Sequence, residues 1–382
     1  MSHSVLPDYP IPPFGESCPQ VYGSLVQQTR QALEQAGFSE ALIGLSGGID
    51  SALVATLAVA ALGAGRVHGL LMPAAVSSAG SVIDACELAD RLGIIPITIP
   101  IEPVFAAFKE ALAPAFSGTS EDVTEENLQA RIRGTMLMAL SNKRGWFVLN
   151  TGNLSESLMG YGTLHGDMVG SFAPLGGLLK TQVYELARYA NDSAREEERE
   201  EESGAARDGD GAQEEALRAV RDAAPGQGEE DERADQHARD RRPPIPEAIL
   251  DKEPSAELAP EQFDRDDLGP YDEIDPILYG RFVRGRSAEQ LIEEGAPPDL
   301  LRRVLDQAAR AAFKLRYEPP AAQVTAQVVL LAQAAQGSAA SQPQPLATQS
   351  QEQQPQPQVG LPQVPQPQPQ PDSADEGEAS SR

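Results

Sequence analysis

Along the first 150 residues, apolar positions fall into two patterns that alternate. Residues 20–37 carry them at helical spacing, and Gly37 closes the stretch as a C-terminal cap. Ala41-Leu42-Ile43-Gly44-Leu45 is a short apolar run with the length of a buried strand. Ser46-Gly47-Gly48 interrupts it, and Ile49 to Leu62 reads as an Ala/Leu-rich helix. The alternation continues with a strand at Val67–Met72, a helix at Ser81–Leu92 and a strand at Ile94–Ile99. A helix at Leu128–Ala139 and a strand at Trp146–Asn150 complete it. Such alternation predicts an α/β fold, a doubly wound parallel sheet with helices on both faces. Ligands of these sheets bind beyond the carboxyl ends of the strands, where the strand order reverses.

After Asn191 the pattern collapses. Residues 192–243 are charged and poor in aromatics, a composition that cannot bury enough surface to offset ordering entropy. Part of the segment, Ala212 to Ala223, is expected to form a transient helix. Order is expected again near Ile245, with a short helix in Pro-Glu-Ala-Ile-Leu and two more at 287–294 and 298–313. The predicted organisation is an arm (1–19), one domain (20–320) interrupted by the acidic disordered insert (192–243), a helical or linker segment (321–336) and a Gln/Pro-rich disordered tail (337–382).

Charge narrows the function. The 382 residues hold 57 Asp and Glu against 30 Lys and Arg, a net of −27. Residues 191–240 contribute −11 and 337–382 contribute −4, which leaves −12 on the remainder. This argues against nucleic-acid binding, which relies on Lys and Arg at phosphates, and against docking on an anionic membrane. A small polyanion held by backbone N–H groups stays open. Lysine is scarce, 5 against 25 arginines, which suits either a salt-rich cytoplasm or a coding bias toward arginine. Two cysteines, Cys18 and Cys86, form neither a disulfide framework nor a metal pattern and read as free thiols in a reducing cytosol. The N-terminus lacks signal-peptide features, and no apolar run has the length of a membrane span, so a cytoplasmic protein is expected.

The chemistry-bearing string is Gly44-Leu45-Ser46-Gly47-Gly48-Ile49-Asp50-Ser51, set between a strand and a helix. Adjacent glycines let bare N–H groups approach an anion, and the following helix adds its positive end. Ser46 and Ser51 can add hydroxyl donors, and Asp50 can serve magnesium, a hard cation that prefers oxygen. An ordinary βα turn would account for a lone Gly-Gly, but not for the full string in this setting. It is neither a dinucleotide-binding GxGxxG nor a Walker loop.

The string resembles the pyrophosphate loop of enzymes that cleave ATP between its α- and β-phosphates. Downstream come Thr151-Gly152-Asn153-Leu154-Ser155-Glu156, Gly160-Tyr161-Gly162-Thr163-Leu164-His165-Gly166-Asp167, Lys180-Thr181-Gln182-Val183 and Glu253-Pro254-Ser255-Ala256-Glu257-Leu258. Together, over about residues 20–191 and 244–320, these resemble the NAD synthetase family, with its adenine-nucleotide α-hydrolase-like fold. The resemblance implies that Gly44 to Ser51, Thr151, Lys180 and Ser255 bind ATP and that Asp50 and Glu156 hold Mg²⁺. It further implies that Arg131, Asp167 and Lys314 contact deamido-NAD. No side chain is assigned covalent or general-base work. The implied reaction activates the nicotinate carboxylate as an adenylate with loss of pyrophosphate, and ammonia then displaces AMP.

Two departures stand out. Leu164 and Ser171 replace a lysine and an aspartate of many family members, and Leu315 and Tyr317 interrupt a late basic cluster after Lys314. The stretch from Tyr161 to Met168 instead resembles the synthetase half of glutamine-dependent members, whose large glutaminase domain the residues before Ser46 are too few to form. The reading is therefore a stand-alone homodimeric synthetase using ammonia. The alternatives are a synthetase fed by a separate glutaminase, another ligase or thiolase of the ATP-cleaving group, or a silent scaffold.

Overall fold

In the computed structural model the described residues are Phe14, 17–208, 242–259 and 262–324, with side chains placed throughout except in 197–208. They belong to one unit within Met1–Gly337; a second unit, Ser338–Arg382, lies outside them. The Ala212–Ala223 segment, most of the acidic insert, the tail and nearly all of the arm also lie outside the described residues.

Helix α1 (Cys18–Ala36) leads to β1 (Ala41–Gly44), α2 (Ile49–Leu62), β2 (Val67–Leu71), α3 (Ala79–Arg91) and β3 (Ile97–Thr98). Then come α4 (Glu102–Leu112), α5 (Val123–Arg144), β4 (Phe147–Val148), α6 (Leu154–Met159) and α7 (Lys180–Asp208). After the insert follow α8 (Glu247–Asp251), α9 (Asp264–Asp267), α10 (Tyr271–Leu278), α11 (Ala288–Glu293) and α12 (Pro298–Ala311). The sheet is parallel with order β3-β2-β1-β4, so the reversal falls between β1 and β4. Beyond β4 it is extended by parallel bridges from Leu149 to Phe172 and from Ala173 to Ala321.

Both faces of the sheet are covered, as the continuous apolar runs require. Ala41 and Ile43 of β1 and Val67 and Leu71 of β2 join the large cluster that includes Leu25, Leu53, Leu57 and Leu186 from α1, α2 and α7. Leu42, Leu70 and Val148 point the other way, toward Met136, Leu137 and Leu140 of α5. A separate cluster of α6, α10 and α12, around Leu158, Ile274, Leu278 and Val304, carries the C-terminal part against the strand ends.

The structure moves several boundaries. The third strand shrinks to Ile97–Thr98, because Leu92 to Ile94 still cap α3 and prolines at 96 and 100 offer no N–H to a ladder. Helix α5 starts at Val123 rather than 128, behind a capping box in which Asp122 and Glu125 satisfy each other's backbone N–H. Cys18, read as part of a Pro-rich arm, is the first residue of α1 and is buried. Helix α7 does not stop at Asn191 but continues to Asp208, since Ala, Glu and Arg are good helix formers whatever their charge. Asn191 itself is buried and pins the returning chain: its amide donates to Ile245 O at 2.7 Å and accepts from Ile245 N at 2.9 Å. The domain also runs past 320, with Ala322 fully buried and donating to Ala173 O.

Candidate active site

The carboxyl end of β1 delivers the glycine-rich loop to a cavity of about 800 Å³ at the β1/β4 reversal. Gly47 takes a left-handed φ of +79°, and a Cβ placed there would lie 2.2 Å from Ser81 O. Both facts demand glycine. Gly48 caps α2, and the two serines knit the turn: Ser51 Oγ donates to Gly48 O at 3.0 Å and accepts from Ser46 N at 3.3 Å. Helix α2, 14 residues long and buried, thus aims its N-terminal end into the cavity.

Three charged side chains meet below the loop. Lys180 Nζ lies 2.5 Å from Asp50 Oδ2 and 3.0 Å from Glu156 Oε1, with its side chain 3% exposed. Asp50 Oδ1 accepts from Asn153 Nδ2 at 2.9 Å, while Asn153 Oδ1 caps α6 through Glu156 N. The Lys180 backbone is fixed as well: its N–H donates to Ser155 Oγ, which donates in turn to Asp275 Oδ1 at 2.6 Å. Burial pulls the Lys180 ammonium down, but Asp50, Glu156 and Asp264 outweigh it and hold the pKa well above the usual lysine range. Burial pushes the Glu156 carboxyl up to about 8 against the pull of Lys180. Asp50 and Glu156 bring carboxyl oxygens, the donors a hard divalent ion takes, to one point, where they now hold the Lys180 ammonium. Among the described residues no third His, Cys, Asp or Glu completes a protein-only metal cage, so such an ion would take further oxygens from phosphate and water.

The roof is the segment 252–259. Lys252 Nζ donates to Gly47 O at 3.1 Å and Ser81 Oγ at 3.0 Å and pairs with Asp84. Glu257 accepts from Ser78 Oγ and Ser81 Oγ at the start of α3, and Gln129 of α5 donates to Leu258 O. At the opposite wall Asp167 Oδ1 accepts from Thr163 N at 2.6 Å. Burial lifts the Asp167 carboxyl to about 6, opposed by that bond and by Lys314. Lys314 Nζ donates to Gly160 O and Gly162 O at 2.8 and 2.7 Å.

Of the residues singled out from sequence, Gly44 to Ser51, Thr151, Glu156, Asp167, Lys180, Ser255 and Lys314 all line this one cavity. Arg131 does not. It is exposed on α5 and donates to Leu164 O at 3.2 Å. Ser255 keeps its hydroxyl inside the roof, donating to Gln262 O at 2.5 Å and accepting from Glu257 N.

With this geometry in view, the chain can be set beside known proteins. The NAD synthase family profile matches residues 21–198 and 231–318, well over half of the chain. The chain belongs to that family. It is 38% identical over 297 residues to the glutamine-dependent NAD(+) synthetase of Acinetobacter baylyi, covering 78% of this chain and 46% of the relative. With the Rhodobacter capsulatus protein of the same name it shares 41% over 286 residues, covering 75% and 45%. The chain therefore spans less than half the length of these curated relatives. Among solved structures, an NMN synthetase from Francisella tularensis matches at 27% identity and TM-score 0.56, over 78% of this chain and 95% of that one. An NH3-dependent NAD synthetase from Campylobacter jejuni shares the fold at TM-score 0.54 and 24% identity, over 78% and 96%.

Four residues at this NAD synthase-family site escaped sequence reasoning. Asn153 had a visible signal, an Asn three residues before an acidic residue at a helix start. Arg133 lines the cavity two residues beyond Arg131, donating to Met72 O, and only the helix phase separates the two. Lys252 and Asp264 reach the site from the far side of the insert; Asp264 stands in the stretch after Glu253–Leu258 that carries the resemblance but was given no role, and Lys252 had no local signal.

Proposed function

We propose that the chain amidates the nicotinate carboxylate of deamido-NAD in an ATP-dependent reaction, giving NAD, AMP and pyrophosphate with ammonia as nitrogen donor. The observation that carries this is the meeting of Lys180, Asp50 and Glu156 beneath a glycine-rich loop at the sheet's reversal point. A free carboxylate is a poor acyl donor, because its leaving group would be oxide. Attack of one carboxylate oxygen on the α-phosphorus forms an O–P bond and expels pyrophosphate. Ammonia then forms the C–N bond, the acyl C–O bond breaks, AMP departs, and the nitrogen sheds a proton. Catalysis of such steps is mostly positioning and neutralisation of phosphate charge.

In this reading the loop N–H groups and Lys180 hold the ATP phosphates, and the roof from Lys252 to Leu258 excludes water from the adenylate. Asp50 and Glu156 would hold Mg²⁺, which when bound neutralises the pyrophosphate leaving group. Asp167 and Lys314 border the end of the cavity assigned to the dinucleotide. Ammonia is favoured over glutamine within this chain because neither thiol is set up as a nucleophile. Cys18 is buried beside Glu185, which raises its pKa to about 11, and Cys86 is exposed on α3. A homodimer belongs to the same proposal: Arg131, outside the cavity, would reach a dinucleotide held between two chains, and sedimentation of the purified chain tests it.

The deciding experiment incubates the chain with ATP, Mg²⁺ and either deamido-NAD or nicotinic acid mononucleotide, supplying ammonium or glutamine in separate reactions. NAD with stoichiometric AMP from deamido-NAD and ammonium is expected. Exclusive use of the mononucleotide would move the chain toward the NMN synthetase named above. NAD formed from glutamine in step with glutamate release would overturn the choice of donor.

A further inference from the structure

One fully buried carboxyl has no part in the chemistry above. Asp275 of α10 is 0% exposed and lines neither the main cavity nor a second one of about 480 Å³ beside it, so no substrate can touch it. Its two oxygens take donors from α6 and α7. Oδ1 accepts from Ser155 Oγ at 2.6 Å, and Oδ2 accepts from Thr181 N at 2.9 Å. Ser155, equally buried, accepts in turn from Lys180 N at 2.9 Å. Asp275 thus fastens the first two N–H groups of α7, one directly and one through Ser155.

Helix α10 meets Lys180 twice. Tyr271, four residues before Asp275 and so on the same helix face, places its ring 5.3 Å from Lys180 Nζ. Lys180 is therefore held at both ends, its backbone through Ser155 and its ammonium by Asp50, Glu156 and that ring. Burying a carboxylate costs free energy, and an apolar side chain of like volume is often the more stable filling. A helix start needs only a neutral cap, such as Ser78 provides for α3 by accepting from Ser81 N. Asp275 does more: it ties α6, which carries Glu156, to the first residue of α7. Asp50, Glu156 and Asp264 already supply the charge that acts on Lys180, which leaves hydrogen bonding as the contribution of Asp275.

We infer that Asp275 is a positioning residue for Lys180: by its bonds to Ser155 and Thr181 it fixes the first turn of α7 against α6, so that the ammonium stands where the ATP phosphates will meet it. The inference rests on the reading of Lys180 as a phosphate-binding group given above. It assigns a part in the reaction to a residue about a helix turn away from anything a substrate can reach.

Ser155→Ala, Asp275→Leu and Asp275→Asn test it in the full chain, each melted to follow stability. ATP and deamido-NAD are titrated separately, with ammonium and Mg²⁺ saturating. Ser155→Ala and Asp275→Leu should lower kcat/KM for ATP by about tenfold or more, since a misplacement of about 1 Å in a reacting site costs up to about a hundredfold. The KM for deamido-NAD, assigned to the Asp167 and Lys314 end of the cavity, should stay within about threefold, less than the worth of one hydrogen bond to a charged group. Asp275→Asn keeps both contacts, with the Ser155 bond reversed, and should stay within about threefold of wild type for both substrates. Should Asp275→Leu fail to fold, the milder Ser155→Ala carries the comparison. Unchanged kcat/KM for ATP in the folded variants overturns the inference. So does a rise of both KM values in step with a fall in melting temperature, which marks support of the fold alone. Asp275→Asn as impaired as Asp275→Leu overturns it too, because charge would then be the agent. Lys180→Met tests the underlying reading by itself: turnover at the wild-type level there removes Lys180 from the phosphates, a failure distinct from a working Lys180 that ignores Asp275.

Discussion

Single atoms decide much of this site. A methyl group at Gly47 would sit 2.2 Å from Ser81 O, a backbone atom that cannot rotate away, and the φ of +79° disfavours any side chain. Gly47→Ala is expected to destabilise the protein by roughly 2 kcal/mol or more, as strained and overpacked positions do. Thermal melting and the KM for ATP check this, and a variant matching wild type in both would show that the loop relaxes freely. Asp50→Asn keeps shape but removes a charge that balances Lys180 and that, on the proposed function, would serve the divalent ion. The expected loss is about a hundredfold or more in kcat/KM at saturating Mg²⁺, the scale seen when one charge-stabilising group is removed from a reacting site. Near-normal turnover would remove Asp50 from the metal role. These residues were legible because their chemistry is written in eight consecutive positions. The role of Asp264 was not, because only the folded chain brings its charge to bear on Lys180.

At the scale of elements, the site is a meeting of helix ends. The N-terminal end of α2 carries the loop, α6 is capped by the same Asn153 that holds Asp50, and α7 begins at Lys180. The roof is tied to α3 through Lys252, whose contact with Gly47 O spans 205 residues of sequence. Lys252→Met would leave Asp84, only 7% exposed, without its cation. A destabilisation of roughly 3 kcal/mol, typical of breaking a largely buried pair, is expected together with a raised KM for ATP. A double change, Lys252→Met with Asp84→Leu, should recover most of the stability and none of the ATP affinity. Recovery of both would make Lys252 a strut alone. The alternation of strands and helices was readable because each run buries a full face of the sheet. Helix α4 was missed although Val104, Phe105, Phe108 and Leu112 stand at helical spacing behind Pro103, and the early start of α5 was missed because its signal is a capping box rather than apolar periodicity. Residues 192–208, expected within the disordered insert, continue α7 for the opposite reason: a charged composition argues against burial, yet Glu, Arg and Ala propagate a helix already anchored by Val183, Leu186 and Ala187.

For the whole molecule, charge is the governing quantity. Of five lysines in a chain of net charge −27, Lys180, Lys252 and Lys314 line the cavity, set among nine acidic side chains of the same lining, with Lys180 and Lys252 each paired to carboxylates. The rest of the surface repels itself, and two buried carboxyls add to the strain. Burial is the main influence raising both Asp167 and Asp275 to about 6, from an ordinary value of 3.8. A carboxyl raised on folding favours the protonated state in the fold. Its contribution is therefore most favourable below pH 3.8 and is lost as pH rises through about 6. For Asp275, fully buried, the loss is roughly 3 kcal/mol between those limits. The melting temperature should accordingly rise as the pH is lowered from 7.5 to 5.5, and added salt should raise it at pH 7.5 by screening the net charge. Asp275→Asn separates the local effect from the global one. An Asn can accept from Thr181 N and donate to Ser155 Oγ, replacing the two bonds Asp275 makes, so the variant should fold. It should be about as stable as wild type at pH 5.5, gain relative to it at pH 7.5, and leave the salt response intact. Equal pH slopes for wild type and Asp275→Asn would assign the whole dependence to the surface and remove Asp275 from it.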